Sequence, residues 1–118
     1  MCRYKIVYLK EKTKNMVEHY PSLLHVLYSS QRNAYESKQV ELFFQPISYG
    51  KEKLLQMLNQ REDYSYFHGV HQIHNPITDD IIAIKMNEFD IEVEENGEKF
   101  VIFEIIKGFS QNFYMFRT

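Results

Sequence analysis

Phe89-Asp90-Ile91-Glu92-Val93-Glu94 decides how this chain is read, because apolar and acidic residues alternate through it without a break. That is the two-residue period of a strand with one face in a core and the other in water. Upstream of it, Ile81 to Met86 and Tyr64 to Ile73 are two more runs of strand character, so the second half of the chain predicts a meander of three strands. At the other end, Cys2 to Leu9 sets Tyr4, Ile6 and Tyr8 against Arg3, Lys5, Val7 and Leu9, a further strand with an apolar face.

Helical signals lie between these strands. Thr13 is placed to cap a short helix on which Met16 and Tyr20, at i and i+4, share one side, and Pro21 ends it. On periodicity alone, Met16 and Tyr20 are the core-facing anchors of that helix. Ser22 then caps a second helix carrying Leu23, Leu24, Val26 and Leu27, which fades near Ser29-Ser30. From Gln39, the residues Val40, Leu42 and Phe44 alternate with Glu41, Phe43 and Gln45 in a strand that Pro46 closes. Lys51 to Arg61 places Leu54, Leu55, Met57 and Leu58 on the inward face of an amphipathic helix.

Asn96-Gly97 suits either a tight hairpin turn or the start of a helix from Glu98 to Gly108. The segment from Phe100 to Ile106 fits both. Gly108 as a helix stop, followed by the aromatic run Phe113 to Phe116, favours a helix and then a last strand. The expected fold class is therefore α+β, a single domain over residues 1 to 118 built on a mainly antiparallel sheet with helices packed against it.

Composition narrows the class further. The chain has 118 residues, 44% of them hydrophobic, with nine Tyr and nine Phe against only four Gly and three Pro. This suits a self-sufficient aromatic-rich core rather than a linker or a disordered segment. The single cysteine, Cys2, excludes an internal disulfide framework and a cysteine-based zinc site. Charges interrupt every apolar stretch, so neither a signal peptide nor a membrane span is expected, and a cytoplasmic location fits. Residues 1 to 61 carry ten Lys or Arg against five Asp or Glu, and residues 62 to 118 carry four against eleven. Lys10, Lys12 and Lys14 read as a solvated edge more readily than as a phosphate-binding patch, so no direct nucleic-acid contact is expected.

No catalytic constellation emerges. His68, His71 and His74 with Asp79-Asp80 nearby raise the question of a metal-dependent enzyme, but on a single strand the three-residue offset puts His71 on the face opposite the other two. A tight turn at Gly69 is the one device that would re-aim a ring. Glycine-rich phosphate loops and nucleophile motifs are missing, Cys2 has no basic neighbour that would activate it, and Glu94-Glu95 and Asp79-Asp80 read as solvated turns. Neither metal nor cofactor is expected, and the residues point to a domain that binds another molecule.

The order of several short segments resembles the sporulation inhibitor of replication family, SirA, of endospore-forming bacteria. The similar pieces are the opening strand ending Tyr8-Leu9, the helical His19-Tyr20, the run from Gln39 to Ile47, and Phe103-Glu104-Ile105-Ile106-Lys107. They are colinear and span most of the chain. The resemblance implies a non-enzymatic regulator that binds the N-terminal domain of the replication initiator DnaA and blocks new rounds of initiation during sporulation. It also implies the partner-binding residues. Met16 and Tyr20 hold the positions of an aromatic residue and a tyrosine four apart on the family's first helix, while Gln39 and Leu42 hold those of a glutamine and a tyrosine. Met16 can fill an aromatic pocket through its flexible thioether, whereas Leu42 lacks the tyrosine hydroxyl.

Overall fold

The computed structural model describes residues 2–20, 43–97 and 99–118. The helix expected after Pro21-Ser22 and the strand residues Val40 and Leu42 lie outside them, as do His25 and Gln39. Within them the order is β1 (Cys2–Leu9), α1 (Glu11–His19), β2 (Phe44–Gln45), α2 (Ser48–Leu58), β3 (Tyr64–Phe67), β4 (Val70–Asn75), β5 (Asp80–Met86), β6 (Asp90–Glu95), α3 (Val101–Ile106) and β7 (Phe113–Arg117). The architecture is α+β, with every strand pairing antiparallel.

β1 is the spine of the sheet. Val7 lies opposite Asp90 of β6 on one side and opposite Tyr114 of β7 on the other. Tyr8, one step further, lies between Phe113 of β7 and Gln45 of β2. The short β2 therefore continues the edge of β1 that β6 vacates, and Gln45 Nε2 fastens it by donating to the Leu9 carbonyl at 3.0 Å. Beyond β6 the sheet runs β5, β4, β3 as the expected meander. Salt bridges Arg3–Glu94 at 3.0 Å and Lys5–Glu92 at 3.6 Å join β1 to β6 on the face that also carries Val7 and Leu9. Being solvated, each is worth less than about 1 kcal/mol and marks the register more than it holds it.

The alternation in β1 divides two cores. Tyr4 and Ile6 join Ile84, Ile91 and Val93 beneath α2 and α3, which contribute Leu54, Leu58, Ile102 and Ile106. Val7 and Leu9 point the other way, to Phe44 and to Val17 of α1. Helices thus cover both faces, α1 on one and α2 with α3 on the other.

Several elements differ from the sequence reading for identifiable reasons. Tyr64 to Ile73 is not one strand but a hairpin, because His68 (φ 50°) and Gly69 (φ 79°) form its two-residue turn with both residues left-handed. That is the combination whose twist matches paired strands. The helix expected over 51–61 runs Ser48–Leu58 and buries Gly50, Leu54 and Leu58, leaving Met57 exposed. Glu95 is not a solvated turn residue. It is buried, and its carboxylate accepts the N–H of Phe100 at 2.6 Å and of Val101 at 3.4 Å. It thereby serves the bare amides at the start of α3, which is a helix rather than a hairpin strand.

Candidate partner-binding surface

α1 follows β1 with Lys10 as its capping position, so Thr13 lies inside the helix and not at its cap. The residues that face the sheet are Thr13 and Val17, also four apart, and not Met16 with Tyr20. The Thr13 hydroxyl donates to the Phe43 carbonyl at 2.6 Å, which makes its complete burial affordable, and Val17 packs on Val7, Leu9 and Phe44. Two acids tie the helix to β7 and the turn before it. Glu11 accepts from Asn112 Nδ2 at 2.9 Å and Glu18 accepts from the Tyr114 hydroxyl at 3.3 Å.

This rotation decides what the helix presents outward. Met16 is half-buried on the shoulder of α1. Tyr20 lies one residue past the helix end, donates its N–H to the Met16 carbonyl at 2.9 Å, and leaves 69% of its surface in water. A large aromatic left in water at a helix terminus is the kind of side chain that protein partners bury. Gln39 and Leu42, the other two residues of the predicted contact face, lie outside the described residues, so Met16 and Tyr20 are the pair that can be placed. Lys12 is exposed, while Lys10 and Lys14 are half-buried.

The three histidines of β3–β4 go to three different surroundings. His68 is in the hairpin turn, its ring edge-on to Phe67 at 4.0 Å. His74 lies 2.9 Å from Asp79 in an exposed pair. His71 lies on the α2 side of the sheet, 2.7 Å from the Tyr64 hydroxyl through Nδ1. Burial lowers the pKa of His71 and raises that of Tyr64, which favours the neutral form of both partners in this hydrogen bond. Among the described residues no three His, Cys, Asp or Glu side chains gather as a metal would need. Cys2 is buried and free.

The hairpin also forms a surface that the sequence reading did not single out. Tyr66 is 59% exposed and Phe67 74%, and the Tyr66 ring rests 4.7 Å from that of His71. On the α2 side, an open groove of about 750 Å³ runs between Leu55 and Asn59 of the helix and Tyr64, Tyr66 and His71 of the hairpin. The signal was present in Tyr64-Ser65-Tyr66-Phe67, where apolar side chains fall on both faces of a strand too short to bury both.

Comparison with known proteins gave no matching family model and no matching curated protein. No helix among the described residues is long and apolar enough to cross a membrane.

Proposed function

We propose that this chain is a non-enzymatic, cytoplasmic inhibitor of chromosome replication initiation that acts during sporulation by binding the N-terminal domain of DnaA. Two things support the reading: the colinear resemblance to SirA, and the position of Tyr20. The observation that carries it is that Tyr20, which corresponds to a family contact residue, is turned to solvent while Thr13 and Val17 take over the packing of α1. A helix whose aromatic end has no part in the core is free to give that aromatic to a partner.

The mechanism is steric occlusion. Tyr20 and the flexible Met16 thioether enter an apolar depression on the initiator domain, with Gln39 adding a directed hydrogen bond at the rim. Neither cofactor nor nucleic acid takes part.

Calorimetric titration with the isolated N-terminal domain of DnaA tests this. The expected result is a one-to-one complex whose affinity falls about thirtyfold or more in Tyr20→Ala, a loss of roughly 2 kcal/mol, with the circular dichroism spectrum unchanged. Unaltered affinity in that variant overturns the assigned face. An absence of heat and of co-elution at tens of micromolar overturns the partner.

A further inference from the structure

The sheet ends on β3, and among the described residues that strand pairs with β4 alone. The register fixes where its backbone groups point. His74 donates its N–H to the Asp63 carbonyl at 3.0 Å, and antiparallel pairs alternate, so Asp63, Ser65 and Phe67 direct their N–H and C=O groups at β4. Tyr64 and Tyr66 direct theirs outward. An edge of this kind is normally blunted by lysine, proline or a bulge. Here it reads Tyr64-Ser65-Tyr66-Phe67, uncharged and regular, with Tyr66 and Phe67 both largely exposed.

We propose that β3 is a self-pairing edge, on which a second copy of this chain docks its own β3 antiparallel about a two-fold axis at Ser65, continuing the sheet from one molecule into the next. The strand is self-complementary in a way that favours a second copy over a foreign strand. A two-fold axis normal to the sheet keeps the α2 sides together, and it requires that residues facing one another across the axis share a face. Centred on Ser65, it sets Tyr64 opposite Tyr66 of the second copy and Tyr66 opposite Tyr64. Every outward N–H of these four residues then meets a carbonyl, and the four phenol rings form one ladder on the α2 side. Ser65 meets Ser65 at the non-hydrogen-bonded position, where opposed chains come closest and a small side chain is needed.

Charge agrees with this register. β3 carries no charged side chain to repel its copy; Asp63 falls opposite Phe67 of the second copy, and two steps beyond the tyrosines Glu62 falls opposite its His68. This is an acid against an imidazole at both ends of the interface. β3 is four strands from β1 across the sheet, so pairing through it leaves α1 and Tyr20 uncovered. The inference stands whether or not DnaA is the partner.

Sedimentation equilibrium of the full chain, from low micromolar to hundreds of micromolar, tests it. A four-residue edge is a small interface, so the expected result is a reversible dimer with micromolar dissociation. Ser65→Lys places two ammonium groups against each other on the axis and is expected to weaken the dimer at least tenfold. Ser65 is exposed, so the circular dichroism spectrum and melting temperature stay close to those of the parent chain. Amide hydrogen exchange supplies a second readout: Tyr64 and Tyr66 gain protection as concentration rises, while Phe67 is protected throughout. A monomer at hundreds of micromolar overturns the proposal, as does a dimer indifferent to Ser65→Lys. Tyr64 and Tyr66 amides protected equally at every concentration also overturn it, and would assign the edge to another part of the same chain.

Discussion

Asp90 and Glu95 show how differently two acids on one strand are managed. Glu95 is buried against amide donors that need an acceptor. Asp90, buried opposite Val7, accepts from Asn87 Nδ2 at 2.6 Å, an amide that also reaches Glu92 at 3.3 Å. Its carboxyl pKa is pushed up to about 6, chiefly by burial, with nearby Lys5 pulling it down and Glu92 pushing it up again. Because the folded value lies above the ordinary 3.8, the folded state holds this proton more tightly than the unfolded chain does. Stability from this group therefore increases as pH falls from above 6 toward 4, and the cost of the buried charge is borne in full at neutral pH and above. Asp90→Asn keeps an oxygen for Asn87 to donate to and removes the charge. In urea titrations at pH 8 and pH 4 the variant is expected to be the more stable at pH 8, by on the order of 1–2 kcal/mol, and to lose most of the difference between the two pH values.

At the scale of elements, the contact between α2 and β7 passes through one glycine. A Cβ on Gly50 would stand 2.9 Å from Cζ of Phe113, and that ring is stacked on Tyr8 with centroids 4.5 Å apart. The ring cannot yield without opening that stack. Gly50→Ala, which favours a helix on propensity alone, is therefore expected to lower stability by about 1–3 kcal/mol, read as a lower midpoint in thermal melts followed by near-ultraviolet circular dichroism.

The elements also show how much the sequence could say. β1 and β6 were legible because alternation on a half-buried strand follows directly from the pleat, and β5 and β7 because each is a short apolar or aromatic run bounded by turn residues. The β3–β4 turn was not, because both sides of Tyr64–Ile73 carry apolar residues and the turn has only one glycine to announce it. The inward face of α1 was misassigned because hydropathy counts Thr13 as polar, while its hydroxyl is fully satisfied by the Phe43 carbonyl. Of the contact surface, the exposure of Tyr20 came from the resemblance rather than from periodicity, which had turned it inward.

Across the whole molecule, the organising fact is that β1 has partners on both edges. β6 and β2 share one and β7 holds the other, with Tyr4 paired to Arg117 and Tyr8 to Phe113. α3 carries the chain over β1 from β6 to β7, and its Ile102 and Ile106 lie in the same core as Tyr4 and Ile6. Removing Phe113 to Thr118 strips one edge of β1 and uncovers Gly50 together with the second core. Such a shortened chain is expected to lose cooperative unfolding in urea, measured by aromatic fluorescence, and not merely to melt a few degrees earlier.

The same arrangement sets the timing of folding during synthesis. β1 emerges from the ribosome ahead of every strand it pairs with, and β7, which holds one whole edge of it, follows about a hundred residues later. Local helices can form as they emerge, and α1 and Phe44 soon reach Val7 and Leu9, but Tyr4 and Ile6 stay uncovered until β6 and α3, which share their core, have followed. Closing contacts of such long sequence separation is slow, so for this chain the interval between synthesis and folding is when its apolar strands are most open to wrong pairings or to a chaperone.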